Sequence, residues 1–181
     1  LEAINTCLRA VTRPGDTVAV ECPTYFGIWQ AIENLGLKVV EISSCPVRGL
    51  DLDCLQKAVR NFPIRAVVCV PNFSNPMGSC MPDERKQQLV ELVTEHQIPL
   101  IEDDIYGELY FGRSRPRTCK AFDTEGWVLH CPSLSKSLAF ETLERRLLLA
   151  VDFGDAPAPY DTLLADDGAR HEAIGPRFGN L

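Results

Sequence analysis

The chain has 181 residues, of which 45% are apolar and 24% charged, and a formal net charge of −7. That is enough for one globular domain with a real core. The acidic balance excludes a chain-wide footprint on nucleic acid or an anionic membrane, which needs clustered Lys and Arg, while leaving room for an anionic ligand in a locally positive pocket. The eight cysteines (Cys7, Cys22, Cys45, Cys54, Cys69, Cys80, Cys119 and Cys131) include no C-x-x-C pair and lie mostly in apolar runs. They read as buried free thiols of a reducing cytoplasm. Three scattered histidines argue against a metal site, and no apolar run approaches the length of a membrane span. The chain opens without Met on what reads as the middle of a helix, so we expect an N-terminus truncated from a longer protein.

In chain order, LEAINTCLRAV places Leu1, Ile4, Leu8 and Val11 on one helical face. After the RPGD turn, TVAVE (17–21) is a β-branched strand. YFGIWQAIENLG is a second amphipathic helix with Gly36 as its C-terminal stop, followed by the strand LKVVEI (37–42). LDLDCLQKAVRNF is helical, with Asp51 or Asp53 able to cap its start. IRAVVCV (64–70) is a continuous apolar strand, as expected of a sheet buried on both faces. The loop PNFSNPMGS leads to a helix with Pro82 in its first turn and Asp83 and Glu84 at its positive end. IPLIE (98–102) and WVLHC (127–131) are the remaining strands. This alternation predicts an α/β fold, a mostly parallel sheet flanked by helices in three α/β/α layers.

Open α/β sheets bind ligands at the carboxyl ends of their strands. The predicted strand ends carry Tyr25; Asn72 and Asn75; Asp103, Asp104 and Tyr106; and Ser133, Ser135 and Lys136. Singly, each has an ordinary reading: Lys136 as a solvated charge, Asp103 as a turn cap, Asn75-Pro76 as turn chemistry, the tyrosines and serines as routine surface residues. Their joint placement favours a shared site. A lysine amine can form a Schiff base with an aldehyde. A carboxylate can keep a heteroaromatic ring nitrogen protonated, a phenol and an amide can bind a ring oxygen, an aromatic ring can stack on a ligand face, and serine hydroxyls can hold a phosphate. These are the needs of pyridoxal 5'-phosphate.

The segments VAVECPTYFGIWQAIENLGLKVVEI, PNFSNPMGS, IEDDIYGELYFG and SLSKSLA resemble the class I/II aminotransferases of the fold-type I pyridoxal phosphate superfamily. More narrowly, they resemble the aminotransferase-like domain of MocR-type regulators in the GntR group. The resemblance covers residues 1–139 and implies a partial large domain of the pyridoxal phosphate-dependent transferase fold. It implies that Lys136 bonds covalently to the cofactor and, in a working transaminase, shuttles a proton. It further implies that Asp103 pairs with the pyridine nitrogen, that Asn75 and Tyr106 bind the ring oxygen, that Tyr25 stacks on the ring, and that Ser133 and Ser135 contact the phosphate. The implied ligand is an amino acid or amine, the intact parent is a homodimer, and DNA is reached only through a winged-helix domain upstream of this segment. A stand-alone amino-acid transaminase is the alternative parent.

Departures from that pattern begin after Ala139. The family continues with a Pro-Gly turn and a phosphate-gripping arginine; here the chain reads FETLERRLLLAVDFGD, and Leu143 stands where the arginine belongs. Loss of that charge-assisted contact costs about 1.5–3 kcal/mol, roughly one to two decades in affinity. Residues 140–181 read as an aberrant tail, frameshifted or disordered, and the chain alone is expected to bind cofactor weakly and turn over poorly.

Overall fold

The structure, a computed structural model, describes residues 1–136 together with the backbone of two short strands at 151–153 and 170–172. It forms two compact units, Leu1–Leu134 and Ser135–Leu181. In the first, the elements run α1 (Glu2–Val11), β1 (Thr17–Cys22), α2 (Phe26–Asn34), β2 (Lys38–Cys45), β3 (Gly49–Leu50), α3 (Leu52–Asn61), β4 (Ile64–Cys69), α4 (Asp83–Glu95), β5 (Leu100–Asp104), a 3-10 turn (Cys119–Phe122) and β6 (Val128–Pro132). In the second unit, β7 (Val151–Phe153) and β8 (Arg170–Glu172) pair antiparallel. The other positions of the 140–181 tail, Leu143 among them, lie outside the described residues.

The six strands of the first unit lie in the order β3-β2-β1-β4-β5-β6. Every pairing is parallel except the β2–β3 hairpin. Strand order reverses at β1, so a crevice is expected beyond the carboxyl ends of β1 and β4. Alternation along each strand splits the core in two. Ala19, Val67 and Leu100 face α3 and α4, through Leu55, Ala58, Leu89, Val90 and Val93. Val18, Val20, Val68 and Ile101 face α1 and α2, through Ile4, Leu8, Ile28, Ala31 and Ile32. These are the two helical layers expected from the sequence.

The local signals act as anticipated. Asp51 caps α3, its Oδ1 accepting from the amides of Asp53 (3.0 Å) and Cys54 (3.1 Å). Gly36 takes a left-handed φ of 64° just past α2, where a side chain would be strained. Pro82 stands one position earlier than expected, at the N-cap of α4. The larger corrections concern strand ends. β2 runs on to Cys45 and turns into β3, a hairpin not anticipated because only two residues form its return strand. β5 is displaced from 98–102 to Leu100–Asp104, so Asp103 and Asp104 close the strand instead of following it. Of the eight thiols, Cys69, Cys119 and Cys131 are buried; the other five are only half-buried.

Candidate active site at the carboxyl rim of the sheet

Tyr25 is the N-cap residue of α2, directly beyond β1. Its ring leans on that of Phe26, with centroids 4.7 Å apart and planes at 59°, and a Cβ on Gly27 would collide with it. The missing side chain at Gly27 is therefore what seats this ring over the first turn of the helix. In the same loop, Thr24 Oγ1 is the one fully buried side-chain polar atom without a partner among the described residues.

Asn75 lies in the loop after β4, which is cinched by the Ser74–Ser79 hydroxyl contact at 2.7 Å and by the Ser74 amide donating to the Ser79 carbonyl at 2.9 Å. The Asn75 Nδ2 amide donates to Tyr106 Oη at 3.3 Å. That bond leaves the phenol proton available for a further acceptor. Asn75 and Tyr106 are thus brought together from two different strand ends.

Asp103 occupies the penultimate position of β5 and is 8% exposed. Strand alternation puts it on the side of Ile101, the face that also carries α1 and α2, and therefore Tyr25. Burial pushes its carboxyl above the ordinary value, against the opposing pull of the Ile105 amide. A buried carboxylate so placed gains from any cation that reaches it. Ser133 follows β6 immediately and is half-buried. Ser135 and Lys136 belong to the second unit, three and four residues beyond the end of β6 in sequence.

Polar residues that the sequence did not single out, Glu21, Lys86, Arg115 and His130, hold this rim together with Asn72 and Asp104. Glu21, at the end of β1, accepts from the Val70 amide (2.8 Å) and the Ser44 hydroxyl (2.7 Å), tying β1 to its neighbours on both sides. Lys86 is 1% exposed, and its ammonium donates to Asn72 Oδ1 and to the Arg117 carbonyl, both at 2.7 Å. The signal was present: Lys86 lies on the helical face of Leu89, Val90 and Val93, hidden by the polar run ERKQQ. Asp104 collects three donors, Asn72 Nδ2 (3.0 Å), Arg115 Nη2 (2.6 Å) and His130 Nε2 (3.0 Å). Burial alone would raise its carboxyl, but these donors outweigh burial and hold it below the ordinary range. A cleft of about 200 Å³ at the β2–β3 hairpin, lined by Arg48, Asp51 and Arg85, contains none of the rim residues.

Comparison with known proteins agrees with this architecture. The family "Aminotransferase class I and II" matches residues 1–143. The HTH-type transcriptional regulator YdcR of Escherichia coli (strain K12) is 45% identical over 138 residues, 76% of this chain and 30% of YdcR. Aromatic-amino-acid aminotransferase 1 of Thermococcus litoralis is 31% identical over 143 residues, 76% of this chain and 34% of that enzyme. Among solved structures, LysN, an α-aminoadipate aminotransferase of Thermus thermophilus crystallised with N-(5'-phosphopyridoxyl)-L-leucine, superposes with a TM-score of 0.70 at 29% identity, covering 75% of this chain and 35% of LysN. The chain thus spans about 30% of the length of the regulator it matches. By sequence profile and by fold, this chain belongs to the class I and II aminotransferase family.

Proposed function

We propose that the chain forms part of a pyridoxal 5'-phosphate-binding domain whose parent is a MocR/GntR-type transcriptional regulator, with the domain sensing an amino acid or amine. The observation that carries the regulator reading is the 45% identity to an HTH-type regulator, against 31% to a transaminase over a similar length. A stand-alone amino-acid transaminase is the second reading, favoured by the fold match to LysN. In the regulator, DNA contact falls to a winged-helix domain encoded upstream and the intact protein is a homodimer in the cytoplasm. No described helix is long and apolar enough to cross a membrane.

The donor set fits the cofactor. Asp103, buried on the α1–α2 face, would hold a proton on the ring nitrogen, and that contact would draw its raised carboxyl back towards the ionised form. Tyr106 Oη, already accepting from Asn75, keeps its own proton to donate to the ring oxygen. Tyr25 offers an aromatic face, and the Ser133 and Ser135 hydroxyls suit a phosphate. When bound, the cofactor supplies an electrophilic carbon for amines and a ring that takes up negative charge. Lys136 would be the nucleophile that attaches to it and the base that moves a proton at the ligand's α-carbon.

The test is to add pyridoxal 5'-phosphate to the whole chain, reduce with borohydride and map the pyridoxyl group by mass spectrometry. We expect the label on Lys136, lost in Lys136→Ala and weakened in Asp103→Asn. Labelling spread over other lysines, or none, refutes the site. A winged-helix coding sequence directly upstream supports the regulator, and its absence the transaminase.

A further inference from the structure

The tip of β5 is held by backbone pairing on one side only. On the β4 side the ladder ends at Cys69↔Glu102, so Asp103 and Asp104 project beyond it. On the β6 side the pairing runs on through Asp103↔Cys131 to Asp104↔Pro132, so the tip is tied to one neighbour and open on the other. Yet Asp103 must be fixed in direction if it is to meet a ring nitrogen.

Side chains supply the tie to β4 that the backbone lacks there, and three of them converge on Asp104. Asn72 reaches its Oδ1 from the β4 loop, His130 reaches its Oδ2 from β6, and Arg115 reaches Oδ2 from the segment that follows β5. The clamp has a backing: Lys86 fixes Asn72 Oδ1 and the Arg117 carbonyl together, so α4 and the 115–117 segment are tied to the same point. Arg115 also holds Glu108 at 2.6 Å, at the far side of the turn that carries Tyr106. Each bond involves an ionised partner or a buried amide, the strong class of protein hydrogen bond.

We propose that Asp104 is a positioning residue for the candidate site: facing away from it, Asp104 clamps the β5 tip between β4 and β6 and so sets the directions of Asp103 and Tyr106. This rests on the cofactor-binding reading above, and its test separates the two. Asp104→Asn keeps the volume but puts an N–H₂ group where only acceptors fit. Amide hydrogen exchange is measured on the cofactor-free chain, and affinity and the induced circular dichroism of the bound ring on the loaded chain. Glu102→Gln is the control. Glu102 is a fully buried carboxylate on the same strand face, and it holds the Cys119 and Lys120 amides instead of the tip.

For Asp104→Asn we expect exchange at Ile105–Gly107 to rise about tenfold, cofactor affinity to fall about tenfold, and the dichroic band to change shape. Glu102→Gln should lower the melting temperature and leave exchange at the tip and the band as they were. If Asp104→Asn does not fold, Arg115→Met removes one of the three donors and should give the same changes in reduced size. Unchanged exchange at the tip overturns the clamp even where wild type binds cofactor. Raised exchange with an unaltered band and affinity makes Asp104 merely structural and also overturns the proposal. Should wild type bind no cofactor, the function proposed above falls, and tip exchange still decides the clamp.

Discussion

Replacing Asp123 with alanine should destabilise the lead-in to β6, the strand that delivers His130 and Ser133 to the rim. The carboxylate organises the turn by itself. Oδ1 accepts from the amides of Gly126 (2.8 Å), Trp127 (3.1 Å) and Glu125 (3.2 Å), and Oδ2 accepts from the Val128 amide (3.0 Å) and Lys120 Nζ (2.7 Å). In Asp123→Ala the exposed Glu125 and Gly126 amides can turn to water. Val128 is 2% exposed and Trp127 half-buried, so their amides are left without acceptors. At about 1–2 kcal/mol each, the two sum to roughly 3 kcal/mol. The Lys120 pair, with the lysine 45% exposed, adds little. With a urea m-value of about 1.5–2 kcal/mol/M, the unfolding midpoint should drop by about 1.5–2 M.

The same carboxylate predicts a pH signature. Burial alone would raise it, but Lys120 and the amides of Val128, Gly126 and Trp127 outweigh burial and hold it well below its ordinary 3.8. Because the folded value is depressed, the contribution is fully present above about pH 4 and is lost as pH falls through the folded value. The gap in urea midpoint between wild type and Asp123→Ala should therefore be widest near neutrality and narrow progressively in acid. Equal midpoints at pH 7, or a gap that widens on acidification, would refute the reasoning.

Two further outcomes follow from particular geometries. Gly107→Ala should destabilise by about 1–3 kcal/mol in thermal or urea melts, because a Cβ there would lie 2.5 Å from Asp104 Oδ1 and 2.8 Å from Arg115 Nη2, on a carboxylate pinned by three donors; a wild-type melt would show that the turn can yield. Brief iodoacetamide treatment at neutral pH, read by peptide mapping, should label Cys45 first. Its sulfur accepts from the Arg48 amide, and the Arg48 and Val47 amides lower its thiol, whereas burial pushes Cys69 and Cys119 well above the ordinary range and seals them until urea is added.

Periodicity and turn chemistry were enough to read the layer order, the parallel pattern and the helix caps, since each depends on nearby residues. The strand ends were harder. Two consecutive aspartates after IPLIE look like a loop, because a carboxylate inside a strand must find distant partners. Here Asn72, Arg115 and His130 supply them to Asp104, and no local pattern announces that. Helical spacing with Leu89, Val90 and Val93 marks Lys86 as inward, but its acceptors, Asn72 and the Arg117 carbonyl, come from elsewhere in the chain and no local pattern names them. Tyr25, Asn75, Asp103 and Tyr106 were legible because each follows or closes a strand, and the topology of a parallel sheet sends such positions to one rim.

The sulfurs of Cys7 and Cys131 lie 3.7 Å apart across 124 positions of sequence, where α1 packs against β4, β5 and β6. At a synthesis rate of roughly 5–20 residues per second, Cys131 is made some 6–25 s after Cys7. In that interval Ile4 and Leu8 can settle only on residues already made, Val18, Val20 and Ile28 among them, and the side of α1 that belongs against β5 and β6 stays wet until the ribosome delivers those strands.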